Sequence, residues 1–153
     1  RRILGRAQVH ERRGDLAAAL RDDLRALAVW ERAYGEHPRL IWPLTCAGRV
    51  LRKADRLADA EPHYARALAI AERTHGPTHP EVARALIELG DVLRGLGRAA
   101  EARALHGRAL TILLATTADA TTWRDLGETL LADGATAEAS TALERARLAE
   151  PAP

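Results

Sequence analysis

The chain repeats itself. From Gly48 it reads GRVLRKADRLADAEPHYARALAI, and from Gly90 it reads GDVLRGLGRAAEARALHGRALTI. A shift of 42 carries Gly48 to Gly90, Ala60 to Ala102 and Ala67 to Ala109. A shift of 41 carries Ala26 to Ala67, and the tail ERAYGEHP (31–38) corresponds to ERTHGPTHP (72–80). A fourth copy, TWRDLGETLLADGATAEASTALERARLAEP, lacks the tail. A period of this size restricts a chain to stacked repeats, in which each unit buries its apolar face only against its neighbours. The copies fall at about 1–38, 39–80, 81–118 and 119–153.

Composition decides what each copy is made of. Ala and Leu supply most of a 47% hydrophobic content, aromatics are 3%, and Phe is absent. Ala and Leu are strong helix formers. Apolar residues recur three and four apart, so that Leu86, Leu89 and Leu93 share one helix face. Each copy therefore reads as two helices. The first helices are expected at about 1–13, 40–54, 79–96 and 119–133, and the second at about 16–34, 57–75, 99–116 and 136–149. Short turns at Gly14-Asp15, Asp55-Arg56, Gly97-Arg98 and Gly134-Ala135 force the paired helices antiparallel.

Boundary chemistry agrees with these spans. Gly35 and Gly76 stand where helices end, suited to a left-handed cap. Pro80 fits a first helical turn, with Glu81 adding a favourable charge there. Asp119 is placed to cap the helix that follows it, and Pro151 ends the last one. Gly48, Gly90 and Gly127 recur inside first helices, where glycine costs roughly 0.5–1 kcal/mol against alanine. Close approach of the partner helix compensates. Ala19, Ala60, Ala102 and Ala139 form the matching small set on second helices, as do Ala26, Ala67, Ala109 and Ala146. Ala67→Leu and Ala109→Leu are therefore expected to destabilise strongly. Arg94→Ala, on the inner face, is not expected to destabilise strongly.

The fourth copy resembles the tetratricopeptide repeat. Trp123, Leu126-Gly127, Leu130, Gly134, Ala139, Leu143, Ala146 and Pro151 fit its W-x2-L-G…A…A…P pattern. The second and third copies, with RAL-x-I before a histidine-proline linker, are similar to the kinesin-light-chain subtype. The first copy fits least well, with Ala7 at the mid-helix small site and His10 where an aromatic or Leu is usual. His106 likewise replaces a Tyr that Tyr64 keeps. The resemblance implies an all-α, right-handed superhelix of about eight helices in four antiparallel hairpins. It also implies a protein-interaction module that is not an enzyme and holds a peptide or partner protein on a concave face.

Carried over onto this sequence, that face shows Arg1, Leu4, Gln8 and Glu11 in the first copy and Trp42, Thr45, Arg49 and Arg52 in the second. The third offers Arg84, Ile87, Asp91 and Arg94, and the fourth Thr121, Arg124 and Glu128. Arginine forks pair with carboxylates or phosphates, so an acidic segment is one expected ligand. The other reading is that Asp91 and Glu128 pair the arginines internally and leave a mixed surface. The residues that hold chaperone C-termini elsewhere in the family, and the inner asparagines of kinesin light chains, are absent. Trp30, Tyr34 and Trp42 cluster around the first linker, read either as packing of the extended helix or as an exposed anchor, with packing favoured.

Other classes fall away. The 23 basic and 21 acidic residues are interspersed, which marks a solvated, ion-paired face rather than a nucleic-acid patch. The bias of Arg over the single Lys53 fits a GC-rich genome. Cys46, the only cysteine, is expected buried and inert, in a reducing, cytoplasmic setting. No apolar run is long enough for a membrane span. His75 and His79 are four apart, but Gly-Pro separates them from a common helix face, and no third metal ligand accompanies them. No cofactor, metal or catalytic residue is expected. Starting at Arg1 and lacking Met, the sequence reads as a fragment of a larger protein. Its expected role is the sensor or scaffold part of a bacterial regulator. The alternatives are an enzyme's accessory domain, positioning an acidic peptide or carrier protein, and a self-association module.

Overall fold

A computed structural model describes residues 15–151 as helices joined by short turns. The first helix expected at 1–13, and with it Arg1, Leu4, Gln8 and Glu11, lies outside the described residues. The chain divides into two compact units, residues 1–74 and 75–153.

The first unit contains α1 (Leu16–Tyr34), a short 3-10 turn (Pro38–Leu40), α2 (Ile41–Lys53) and α3 (Leu57–His75, whose last residue belongs to the second unit). Its core is Leu27, Leu40, Leu44, Ala67 and Ile70, with Trp30 and Ile41 packed against it. Burying a Leu or Ile of this kind stabilises by roughly 1.5–3 kcal/mol. The linker is tied down by charge. Glu36 accepts from Arg66 Nε at 2.7 Å and from Arg73 at 3.0 Å, and Arg66 also meets Glu31. The Arg66 guanidinium holds the Glu36 carboxyl below its usual value.

The second unit contains two hairpins, α4 (Pro80–Gly95) with α5 (Ala99–Leu114), and α6 (Ala120–Ala132) with α7 (Thr136–Ala149). Leu86, Leu89 and Leu93 are all buried, so the spacing that marked one helix face marked the inward one. Trp123, at a repeat signature position, is buried as well. The Ala positions expected to be tightly packed are so: Ala60, Ala102, Ala109 and Ala139 are inaccessible to solvent.

Backbone chemistry sets the ends. Gly35 and Gly76 have φ of 60° and 86°, the left-handed region in which glycine meets no steric penalty. Asp119 accepts from the Thr122 N–H at 2.7 Å, the cap expected of it. Two caps were not anticipated. His37 and His79 each turn Nδ1 onto a backbone N–H two residues on, Arg39 at 3.2 Å and Glu81 at 3.1 Å. In both cases proline follows, pre-set for the first helical turn. The imidazoles of His75 and His79 do not share a helix, yet the turn between them stacks the rings 4.5 Å apart.

Candidate functional site

In the second unit the first helices of the two hairpins, α4 and α6, leave an open cleft of about 340 Å³. It is lined by Arg84, Ile87 and Glu88 from α4, and by Asp119, Thr121, Thr122 and Asp125 from the start of α6. Three residues expected on the inner face, Arg84, Ile87 and Thr121, therefore meet in one place. Ile87 and Thr122 are nearly inaccessible and form its floor, while Arg84, Asp119, Thr121 and Asp125 stand exposed on its walls.

The cleft walls carry three carboxylates and one arginine. Arg84 sits 3.9 Å from both Glu81 and Asp119, at the outer limit of an ion pair. The Asp119 carboxyl is held below its usual value, mainly by the N–H of Thr122 that it caps. Desolvation, with the charges of Glu128 and Asp119, pushes the Asp125 carboxyl above its usual value despite Arg124 and Arg84. Sequence reasoning named neither Glu88 nor Asp125 for this face. Asp125 follows Thr121 by four residues, a helical spacing that could have found it.

The other expected residues of this unit lie elsewhere. Arg94 is engaged within the protein. It donates to Asp91 at 3.1 Å, to Asp133 at 3.2 Å and to the Thr129 carbonyl at 3.2 Å. The contact with Asp91 is the one that the internal-pairing reading of the inner arginines named. Arg124 pairs with Glu150. Glu128 is exposed on α6, outside the cleft lining.

In the first unit, α2 carries Trp42 and Arg52 exposed, with Thr45 and Arg49 half-buried. Arg49 reaches to within 3.9 Å of the Sγ of Cys46, which is buried as expected. Trp30 packs on the core, in line with the packing reading. Tyr34 stays half-exposed, edge-on to Trp30 and covered by Arg39, whose guanidinium stands 5.0 Å over the ring and donates to the hydroxyl. Trp42 remains 47% exposed. A smaller pocket of about 190 Å³, lined by Leu27, Leu44, Pro62, His63 and Arg66, was not foreseen. Leu27, Pro62, His63 and Arg66 come from second helices and Leu44 from the first helix α2, and none of the five is a residue expected to bind.

Sequence models described as tetratricopeptide repeat match residues 3–39 and 40–115. The chain belongs to the tetratricopeptide repeat family. No curated protein matches its sequence. Among solved structures it is similar to BtubC (BKLC) from P. vanneervenii, with 22% identity and a TM-score of 0.76 over 96% of this chain and 64% of that one. It is also similar to the nearly identical TPR-like repeats of a Podosopora anserina protein assigned to the kinesin light chains, with 20% identity and a TM-score of 0.74 over 92% of this chain and 69% of that one. The apo form of RapI aligns with 15% identity and a TM-score of 0.75, over 95% of this chain and 53% of that one. At these identities the likeness is one of fold. The chain spans less than two thirds of BtubC and about half of RapI. Tetratricopeptide repeats serve in general as non-catalytic protein-interaction modules, and the helices here fit that use. Among the described residues, no helix is long and apolar enough to cross a membrane, and no three side chains are grouped to hold a metal ion.

Proposed function

We propose that this tetratricopeptide repeat chain holds a segment of a partner protein against its first helices, as the regulatory or scaffold part of a larger protein. The observation that carries this reading is the α4–α6 cleft, which gathers Arg84 and Thr121 from two successive repeats around a floor of Ile87 and Thr122. Such a floor takes the methylenes of a long side chain, and the polar wall fixes its head.

The lining also favours one ligand charge. Arg94 and Arg124 are already paired within the protein, and Arg84 shares the cleft with three carboxylates, Glu88 on its own helix and Asp119 and Asp125 across from it. An acidic segment finds few donors there, whereas a lysine or arginine of the partner meets Glu88, Asp119 and Asp125. The cleft therefore suits a segment with a basic side chain.

An array of acidic, neutral and basic peptides, probed with the whole chain, tests both parts. Basic peptides are expected to bind best. Thr121→Trp, which fills the cleft, is expected to weaken them at least about tenfold, and Asp125→Lys to reverse the charge preference. Binding unaffected by Thr121→Trp would remove the cleft as the site. Binding lost with Thr121→Trp but strongest for acidic peptides would keep the site and overturn its charge preference.

A further inference from the structure

The repeat shows which residues of the cleft are its own. The register that aligns Gly48, Gly90 and Gly127 also aligns Trp42, Arg84 and Thr121. One helical turn further on it aligns Cys46, Glu88 and Asp125. Of these three copies, the two whose first helices form the cleft are the ones that place a carboxylate there. Packing does not ask for an arginine at the other position. Tryptophan, arginine and threonine hold it in turn, and all three stand exposed. A position that takes such different side chains is outside the repeat's packing rule, so the identity of Arg84 answers to the cleft.

Arg84 is held loosely there. One Nη lies 3.9 Å from a Glu81 oxygen and the other 3.9 Å from an Asp119 oxygen, and the side chain is 53% exposed. Neither distance is that of a hydrogen bond, and such contacts on an exposed, flexible side chain hold little. Its charge nevertheless acts on the cleft. Behind the Thr122 N–H, which dominates, it helps to hold the Asp119 carboxyl below its usual value. At Asp125 it opposes the desolvation and the like charges that raise the carboxyl. Arg84 therefore lies in the field of both carboxylates that α6 contributes. Two like charges about 4 Å apart repel even in water. The guanidinium and a second cation cannot both hold this wall at full strength.

We propose that Arg84 is a built-in competitor of the cleft: its guanidinium stands at the acidic wall in place of the partner's basic side chain and is displaced when that side chain binds. This rests on the reading of the cleft as a site for a basic residue, and adds what sets its affinity. A side chain so loosely held leaves with little loss, so the cleft is not blocked. Each binding event still has to overcome its charge. A lone basic residue therefore binds weakly, and a segment that also contacts Ile87, Thr121 and Thr122 is favoured over it.

Calorimetric titration of the whole chain with an end-capped alanine–glutamine peptide bearing one central arginine tests this proposal. At low salt, Arg84→Gln and Arg84→Ala are each expected to tighten binding about three- to tenfold. The gap to the natural chain is expected to shrink as salt screens the repulsion. Thr121→Trp is expected to weaken binding in every background. Weaker or unchanged binding in Arg84→Gln overturns the competitor, because the guanidinium then serves the ligand or ignores it. Tightening in Arg84→Ala alone also overturns it, because room and not charge is then what limits binding. In both cases, binding that Thr121→Trp still weakens leaves the cleft reading intact. Binding that Thr121→Trp leaves unchanged, or none by the natural chain and both Arg84 variants, removes the cleft reading and the competitor with it.

Discussion

Gly90 lies against the imidazole of His106 with no room for a methyl group between them: a Cβ there would stand 2.7 Å from Cδ2 of the ring. Two effects of Gly90→Ala oppose each other. Helix propensity favours alanine by about 1 kcal/mol. Overpacking costs about 1–3 kcal/mol, and here it also pushes the ring off Asp133. The net expectation is a loss of about 1–2 kcal/mol, read as a lower urea midpoint. An unchanged midpoint would mean that the ring moves freely, and the close approach would lose its meaning.

Gly107 supplies the contrast. It too is inside a helix, α5, but a Cβ there would meet nothing within 4 Å. Gly107→Ala is expected to stabilise by about 0.5–1 kcal/mol, because only the propensity and the unfolded-chain entropy remain. A pair of melts on Gly90→Ala and Gly107→Ala, moving in opposite directions, checks both expectations at once.

These two glycines also show what the sequence disclosed. The repeat placed Gly90 inside a helix and required a close neighbour, and helix ends expected from turn and cap residues fall within two residues of those observed. Repeats advertise small residues because packing leaves no substitute for them. Gly107 breaks no repeat rule and carries no such signal. The cleft was half legible. Inner positions carried over from the family gave Arg84, Ile87 and Thr121. The carboxylates on the same two helices, Glu88 and Asp125, fall between those positions. The polar group around His106 was invisible, because its partner Asp133 is 27 residues away in sequence and lies on a turn. Charge pairing across hairpins has no period to read.

Arg94→Ala tests that group from the other side. Removing the guanidinium leaves Asp133, 2% exposed, without its arginine and the Thr129 carbonyl with the Asp133 N–H alone. Deleting one partner of a fully buried pair costs more, but Arg94 is 31% exposed and partly screened, so a loss of about 1–3 kcal/mol is expected. Arg84→Ala, with only two contacts at 3.9 Å on an exposed side chain, is the comparison. Equal urea midpoints for the two variants would show that the contacts of Arg94 contribute nothing.

Asp55 occupies a glycine's place. It has φ of 58°, while Gly97 and Gly134 hold the same turn position in the next two hairpins with φ of 82° and 77°. In all three turns the following N–H reaches back to a helix carbonyl, Arg56 to Leu51, Arg98 to Leu93 and Ala135 to Leu130. Asp55→Gly relieves the side chain of a left-handed backbone and is expected to stabilise by about 0.5–1 kcal/mol. Asp55→Val, β-branched, should destabilise by more than that. Thermal melts in the reverse order would mean that the aspartate side chain itself holds the turn.

Asp119 gives a prediction in pH. Its folded carboxyl lies below the ordinary value of 3.8, because the ionised form accepts from the Thr122 N–H. The folded state therefore releases this proton more readily than the unfolded chain. The cap's contribution is fully present above that ordinary value and is lost as pH falls through the lower, folded one. Asp119→Ala should destabilise by about 1 kcal/mol near neutrality. Asp119→Asn keeps an acceptor but cannot titrate. The difference in stability between the natural chain and Asp119→Asn should then be flat from neutral pH down to mildly acidic pH and shift against the natural chain only in acid. A difference that already changes near neutrality would assign the titration to another group and remove the cap as its cause.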